Sequence, residues 1–186
     1  MKAVLISIQP QWCAKIASGE KTIEVRKNLP ANLATPFKCY IYCTRTFSGS
    51  NELFRNALGC DVADWDCGIW GVRKGKVIGE FVCDNIRCFD VPYPAFQSKM
   101  DKRILEQSCL SYYTLHLYAY HDALYGWHIS DLIIYDKPKH ISDFRKPCGN
   151  DLYCEECGMY CNNTELCGNA ALSLARPPQS WCYVEV

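Results

Sequence analysis

The sequence lacks a net charge of either sign, because its 20 Lys and Arg residues balance its 20 Asp and Glu residues. This balance excludes a histone-like or ribosomal type of protein that holds nucleic acid by charge alone. The sequence also lacks an apolar segment long enough to cross a membrane, and its short first apolar run ends at Gln9 and Pro10 with no small-residue cleavage site. The pattern therefore predicts a cytoplasmic globular protein whose 14 cysteines stay reduced.

The chain has no internal repeat and no low-complexity tract, and consists instead of many short segments with strand-like or helical patterns. The predicted strands are 2–8, 21–26, 37–43, 76–91, 125–136 and 181–186. The predicted helices are 10–18, which Gly19 stops, 101–109, and 111–118, which Ser111 caps. Strands outnumber helices without alternating regularly, so we predict an α+β fold: a mostly antiparallel barrel or curled sheet with short peripheral helices.

The strand predicted over 21–26 has an unusual polar face. Alternation places Ile23 and Val25 on one side, where we expect them to be buried. The other side carries three polar residues: Thr22, Glu24 and Arg26. Lys21 falls on the apolar side by parity, but its long stem can lift the ammonium clear. Two interpretations follow: a solvated ion pair worth well under ~1 kcal/mol, or a ligand site whose cations hold phosphate and whose carboxylate holds an amine or a hydroxyl.

The segment "QPQWCAKIASGEKTIEVR" resembles the signature of ASCH domains, which belong to the PUA-like superfamily. The signature positions are Gly19, Lys21, Glu24 and Arg26. "GKVIGEFVCD" resembles the family's central barrel strand, and "LYGWHISDLIIYDKP" and "RPPQSWCYVEV" resemble segments of ASCH proteins from phages and prophages. The resemblance implies a PUA-like, mostly antiparallel β pseudo-barrel. The corresponding domain boundaries are 1–147 for the barrel, 148–170 for a Cys-rich insertion and 171–186 for a C-terminal strand that returns to the barrel.

The resemblance also implies a cleft that binds RNA or a nucleotide, which is the predicted function. The predicted ligand-binding residues are Lys21, Thr22, Glu24, Arg26, Trp127 and His128. Trp127 beside His128 offers a stacking ring and a titratable hydrogen-bonding group, as in readers of single-stranded RNA. In the alternative interpretation Trp127 is a core residue and His128 is its polar neighbour. Because side chains alternate along a strand, the two residues cannot both face one cleft.

The contrasting hypothesis is a hydrolase in the same cleft, with Lys21 and Glu24 as candidate catalytic residues. Some small ASCH proteins are amidohydrolases that act on acetylated cytidine with a Lys, a Thr and a Glu. Lys21 matches this Lys, but Glu24 stands at the position of the nucleophilic Thr. Thr22 lies on the same face, and Glu106 is the candidate for the family's Glu. A ribonuclease would instead need a general base near a 2′-hydroxyl, either Glu24 or His128.

The cysteines form two groups. About half a dozen lie in apolar runs and are predicted to be small core residues, among them Cys39, Cys43, Cys83 and Cys88. A second group consists of Cys148, Cys154, Cys157, Cys161 and Cys167. Four of these five are predicted to hold a structural zinc ion, since the segment has few apolar residues for a core of its own, and free thiols are the alternative. A third functional hypothesis is an adaptor that contacts a protein partner through this segment.

Overall fold

The structure is a computed structural model and describes residues 2–45, 73–147 and 172–185. These residues form eight strands: β1 (Lys2–Ile8), β2 (Ile23–Arg26), β3 (Phe37–Cys43), β4 (Lys76–Cys83), β5 (Ile86–Phe89), β6 (Leu124–His128), β7 (Ser130–Lys139) and β8 (Trp181–Glu185). The helices are α1 (Pro10–Ala17), α2 (Lys102–Ser108) and α3 (Tyr112–Ala119), with 3-10 turns at Pro94–Lys99 and Ile141–Asp143. The α+β prediction is confirmed. None of the helices in these ranges is long and apolar enough to cross a membrane.

The strands form two open sheets and not a closed barrel. The five-stranded sheet has the order β7-β4-β3-β1-β8, and the three-stranded sheet has the order β2-β6-β5. β8 pairs antiparallel with β1, from Lys2 opposite Glu185 to Ile6 opposite Trp181. β6 is antiparallel to both β2 and β5. The first and last described strands therefore lie side by side, although 170 or so residues separate them along the chain.

The described residues divide into two compact units. The first comprises 2–13, 40–45, 73–79, 135–147 and 172–185, and the second comprises 14–39 and 80–134. In the first unit a core cluster surrounds Tyr40 and Phe144, whose rings meet edge to face with centroids 4.9 Å apart. In the second unit the core cluster contains apolar residues of β2, β5, β6, α2 and α3, among them Ile23, Val25, Phe89, Ile104, Leu115 and Leu124. The second unit also contains the residues of the predicted cleft.

Two of the predicted strands are each split in the structure. The strand predicted over 76–91 becomes β4 and β5, which belong to different sheets. The break falls at Asp84 and Asn85, residue types that are disfavoured in strands. The strand predicted over 125–136 becomes β6 and β7, which also belong to different sheets and are separated by Ile129. In both cases the strand-like pattern continues across the break, so the local sequence does not show that the chain passes from one sheet to the other.

The cysteine prediction is confirmed at three positions and wrong at one. Cys39, Cys43 and Cys83 are fully buried. Burial, the largest influence, raises the pKa of Cys83 to about 12, so this thiol stays protonated at neutral pH. Cys88 is exposed, because it lies on β5, the outer strand of the three-stranded sheet, where side chains in the middle of the strand face solvent.

Candidate ligand site on strand β2

The segment before β2 is fixed to two helices by backbone hydrogen bonds. α1 is followed by Gly19, which has φ +80°, a left-handed conformation that glycine adopts without strain. The Lys21 N–H donates to the carbonyl of Lys15 at 2.9 Å, and the Thr22 N–H donates to the carbonyl of Gln107 at 2.9 Å. α1 and α2 together therefore set the position from which β2 starts.

Lys21, Glu24 and Arg26 form one chain of charges, which we call the β2 charge chain. Lys21 Nζ lies 3.3 Å from Glu24 Oε2, and Arg26 Nη2 lies 3.0 Å from Glu24 Oε1. Only 2% of the Lys21 side chain, 9% of Glu24 and 10% of Arg26 are exposed. The interpretation as a solvated surface pair is therefore wrong. Lys21 reaches its carboxylate partner without leaving the protein interior.

The Lys21 ammonium also lies at the C-terminal end of α2. Its Nζ donates to the carbonyl of Ser108, the last residue of the helix, at 2.7 Å. The final carbonyls of a helix have no partner within the helix and carry the negative end of its dipole, so a cation is favourable there. No local sequence pattern indicates Ser108 as a partner of Lys21, because the two residues are 87 positions apart in the chain.

Burial is the strongest influence on the ionisation of Lys21. It lowers the pKa of Lys21 below its ordinary value of 10.5, while the attraction of Glu24 acts in the opposite direction. With two cations and one carboxylate, the β2 charge chain keeps one net positive charge. Buried ion pairs add little net stability, since the cost of removing charges from water offsets their attraction. A buried charge cluster with a perturbed pKa is therefore a candidate functional site.

The lowered pKa of Lys21 predicts how stability depends on pH. The unfolded chain releases this proton near 10.5, whereas the folded protein releases it at a lower pH, so between the two values the unfolded state binds more protons. The free energy of unfolding should therefore rise with pH through the interval that ends near 10.5. Urea unfolding of wild type and Lys21→Met from neutral to alkaline pH measures this. The free energy of unfolding of the wild type should increase relative to that of Lys21→Met as the pH rises. A difference that stays constant with pH would contradict the lowered pKa of Lys21.

The register of β2 and β6 separates Trp127 from His128. Glu24 lies directly opposite Trp127, and Ile23 lies directly opposite His128. Since opposed residues share a face of the sheet, Trp127 lies on the face of Glu24 and His128 on the other. Trp127 is fully buried, and its ring meets the ring of Phe37 edge to face, with centroids 5.8 Å apart. The structure thus favours the core interpretation of Trp127, and it leaves His128 outside the β2 charge chain.

His128 pairs with Asp84, a residue that sequence analysis did not single out. His128 Nδ1 lies 2.6 Å from Asp84 Oδ1, and the His128 N–H donates to the carbonyl of Asn85 at 2.9 Å. The hydrogen bond from His128 is the main reason that the pKa of Asp84 is lowered. Both side chains are about two-fifths exposed, at 42% and 44%. The two candidate general bases, Glu24 and His128, lie on opposite faces of the sheet.

The remaining predicted site residues lie just before β2, on α2 or outside the described ranges. Thr22 is half-buried, and its carbonyl accepts from the Ile129 N–H at 2.9 Å. Glu106 is exposed on α2. The five cysteines of the predicted zinc site lie outside the described residues, within 148–170. The zinc ion and the adaptor function of that segment therefore stay predictions.

The described residues have an α+β architecture of two sheets and short helices. Solved structures of the ASCH protein from Zymomonas mobilis have this fold. The Zymomonas mobilis protein without a substitution is 18% identical in sequence to this chain, and its structure has a TM-score of 0.52. The match covers 98% of this chain and 87% of that chain. The structure of a serine-to-alanine variant of that protein has a TM-score of 0.56 and covers 98% of this chain and 88% of that chain. The structure of a tyrosine-to-phenylalanine variant has a TM-score of 0.54 and covers 100% of this chain and 91% of that chain. Both variants are 18% identical to this chain. The sequence matches no protein-family model, and no curated protein matches it significantly.

Proposed function

We propose that the protein binds RNA or a nucleotide at Lys21, Glu24 and Arg26. The observation that carries the proposal is the β2 charge chain, in which a carboxylate lies between two cations, almost fully buried, with one net positive charge. A phosphate oxygen is a suitable partner for a site with this net positive charge. The similarity of the fold to an ASCH protein supports the proposal, because the ASCH resemblance implies a nucleotide cleft at these positions.

The exposure of the three side chains supports a different proposed role for each of them. Arg26 and Glu24 keep about a tenth of their surface exposed, whereas Lys21 keeps 2%. Arg26 is therefore the group that meets a phosphate or a base carbonyl, with the planar fork of donors that such acceptors match. Glu24 accepts from an exocyclic amine or a ribose hydroxyl. Lys21 acts behind them as a positioning residue that holds the Glu24 carboxylate.

Anisotropy titrations with a short labelled single-stranded RNA test this proposal. The wild type should bind, and its association constant should fall as the salt concentration rises. In a plot of log K against log salt concentration, each contacted phosphate contributes a slope of about −0.7, and we expect two or three such contacts. Arg26→Gln should weaken binding by roughly 10- to 100-fold, because hydrogen bonds from a charged donor contribute about 1.5–3 kcal/mol. Arg26→Lys should fall between them, since it keeps the charge but loses the planar fork.

Lys15→Gln is the matched control. Lys15 Nζ pairs with the exposed Glu20 carboxylate at 3.0 Å, so this variant removes one positive charge close to β2 without touching the β2 charge chain. Its affinity at physiological salt should stay close to that of the wild type. Equal losses for Lys15→Gln and Arg26→Gln would mean attraction by overall charge. A wild type that binds neither RNA nor mononucleotides would refute the proposal.

Hydrolysis of a modified nucleoside is a second candidate, and the lowered pKa of Lys21 favours it. A lysine that loses its proton more readily can serve as a general base. Incubation of the protein with acetylated cytidine, followed by chromatography of the products, distinguishes hydrolysis from binding without hydrolysis. Release of cytidine and acetate by the wild type, together with its loss in Lys21→Met, would favour the hydrolase. Cleavage of the RNA during the titration would instead indicate a ribonuclease.

A further inference from the structure

The strand pairing places Tyr125 on the face of the sheet that carries the β2 charge chain. Arg26 lies directly opposite Tyr125 of β6, and Tyr125 lies directly opposite Cys88 of β5. Directly opposed residues of paired strands share one face, with their Cβ atoms about 4.5–5.5 Å apart. Arg26, Tyr125 and Cys88 therefore form one row across the three-stranded sheet, which we call the Arg26 row.

A second row lies beside the first, two residues away on each strand. It consists of Glu24, Trp127 and Ile86, which are likewise directly opposed. Trp127 is fully buried and its ring meets the ring of Phe37, and Glu24 is also buried. Protein therefore covers the face of the sheet at the β2 and β6 positions of this second row.

The face becomes more open from the second row to the Arg26 row. On β6 the side chain is fully buried at Trp127 but half-buried at Tyr125, and on β5 it is half-buried at Ile86 but exposed at Cys88. β6 is the middle strand of its sheet, so a side chain there is flanked on both sides. Tyr125 is nevertheless partly accessible, and a ligand that Arg26 binds can reach it.

We propose that Tyr125 stacks the base of a nucleotide whose phosphate Arg26 binds, with Cys88 at the far edge of that base. This inference rests on the proposed function of the β2 charge chain and adds a residue outside that chain. A cation and an accessible ring side by side match the two parts of a nucleotide, an anionic phosphate and a flat base. Neighbouring strands are about 4.7–4.9 Å apart, so the ring of Tyr125 begins one strand away from the phosphate position.

Two ligands that differ in the base test the proposal: adenosine monophosphate and ribose 5-phosphate. By calorimetry the wild type should bind adenosine monophosphate about 5- to 100-fold more tightly, which is the contribution of one stacked base. Tyr125→Leu should lose most of this difference and keep the wild-type affinity for ribose 5-phosphate, which also shows that the variant is folded. Tyr125→Phe should bind like the wild type, because the ring remains. Tyr135→Leu is the matched control, since it changes a half-buried tyrosine on β7, in the other compact unit.

Alkylation of Cys88 gives a second and independent measurement. The wild type is treated with N-ethylmaleimide, and the modified peptides are followed by mass spectrometry. Saturating adenosine monophosphate should slow the reaction of Cys88, whereas ribose 5-phosphate, which has no base, should leave its rate unchanged. Cys182 is the internal control, because it is half-buried on β8 in the other unit, and neither ligand should change its rate.

The contrary outcomes separate this proposal from the proposed function. If Tyr125→Leu binds adenosine monophosphate like the wild type while Arg26→Gln remains weak, the stacking proposal is overturned and the proposed function stands. Equal wild-type affinity for the two ligands would also overturn stacking, and would leave a phosphate site without a base contact. An equal loss of both ligands in Tyr125→Leu, with no protection of Cys88 in the wild type, would make Tyr125 a support for Arg26 and overturn stacking. If the wild type binds neither ligand and no RNA, both proposals are overturned.

Discussion

Glu24→Gln is expected to lower the free energy of unfolding by about 3–5 kcal/mol, the cost of breaking a buried ion pair from one side. The variant has nearly the same shape but no negative charge. It leaves the Lys21 ammonium and the Arg26 guanidinium close together with at most 10% of either side chain exposed. Neither cation has water to replace the carboxylate that it loses. Urea unfolding followed by circular dichroism at neutral pH measures the loss.

Glu20→Gln is the control for this prediction. Glu20 also pairs with a lysine at 3.0 Å, but 60% of its side chain is exposed. Its unfolding midpoint should not move, because water and salt screen such a pair. The double variant Lys21→Met/Glu24→Gln should lose less than the sum of the two single variants, since residues of one charge network are coupled. If Glu24→Gln behaves like Glu20→Gln, the charge chain is solvated after all.

Trp127→Ala is expected to cost about 3–5 kcal/mol of unfolding free energy, as is usual for a large aromatic residue removed from a core. Trp127 is fully buried, so the variant leaves a cavity beside Phe37 and under Glu24. Trp127→Phe keeps a ring against Phe37 and should cost clearly less. Because Trp127 lies opposite Glu24, either variant is also expected to weaken RNA binding indirectly.

Tyr120→Ala gives the matched comparison for Trp127→Ala. Both variants remove one aromatic ring, but Tyr120 is 77% exposed. Its stability should stay within about 0.5 kcal/mol of the wild type, because most of its side chain already lies in water. Thermal melting of the two variants measures the difference between them. Unchanged stability together with lost binding in Trp127→Ala would make Trp127 a ligand-stacking residue, against its assignment to the core.

Local patterns in the sequence were enough to predict most elements of the described fold. Alternation identified the strand of Ile23 and Val25, and Ser111 and Gly19 marked a helix start and a helix end, since these signals act over a few residues. The Glu24–Arg26 pair follows from the same alternation. Local patterns failed at Asp84 and Asn85, where one apolar pattern passes from one sheet into another.

The tertiary structure alone decided which faces are covered. Alternation places Glu24 and Arg26 on one side of β2 but does not tell whether protein or water lies against them. The Lys21–Ser108 and His128–Asp84 contacts join residues 87 and 44 positions apart, so no local pattern contains them. α3 has apolar residues all round, and only the packing of Leu115 into the core determined that Tyr113 faces solvent. The sequence sets which residues share a face, whereas burial depends on long-range packing.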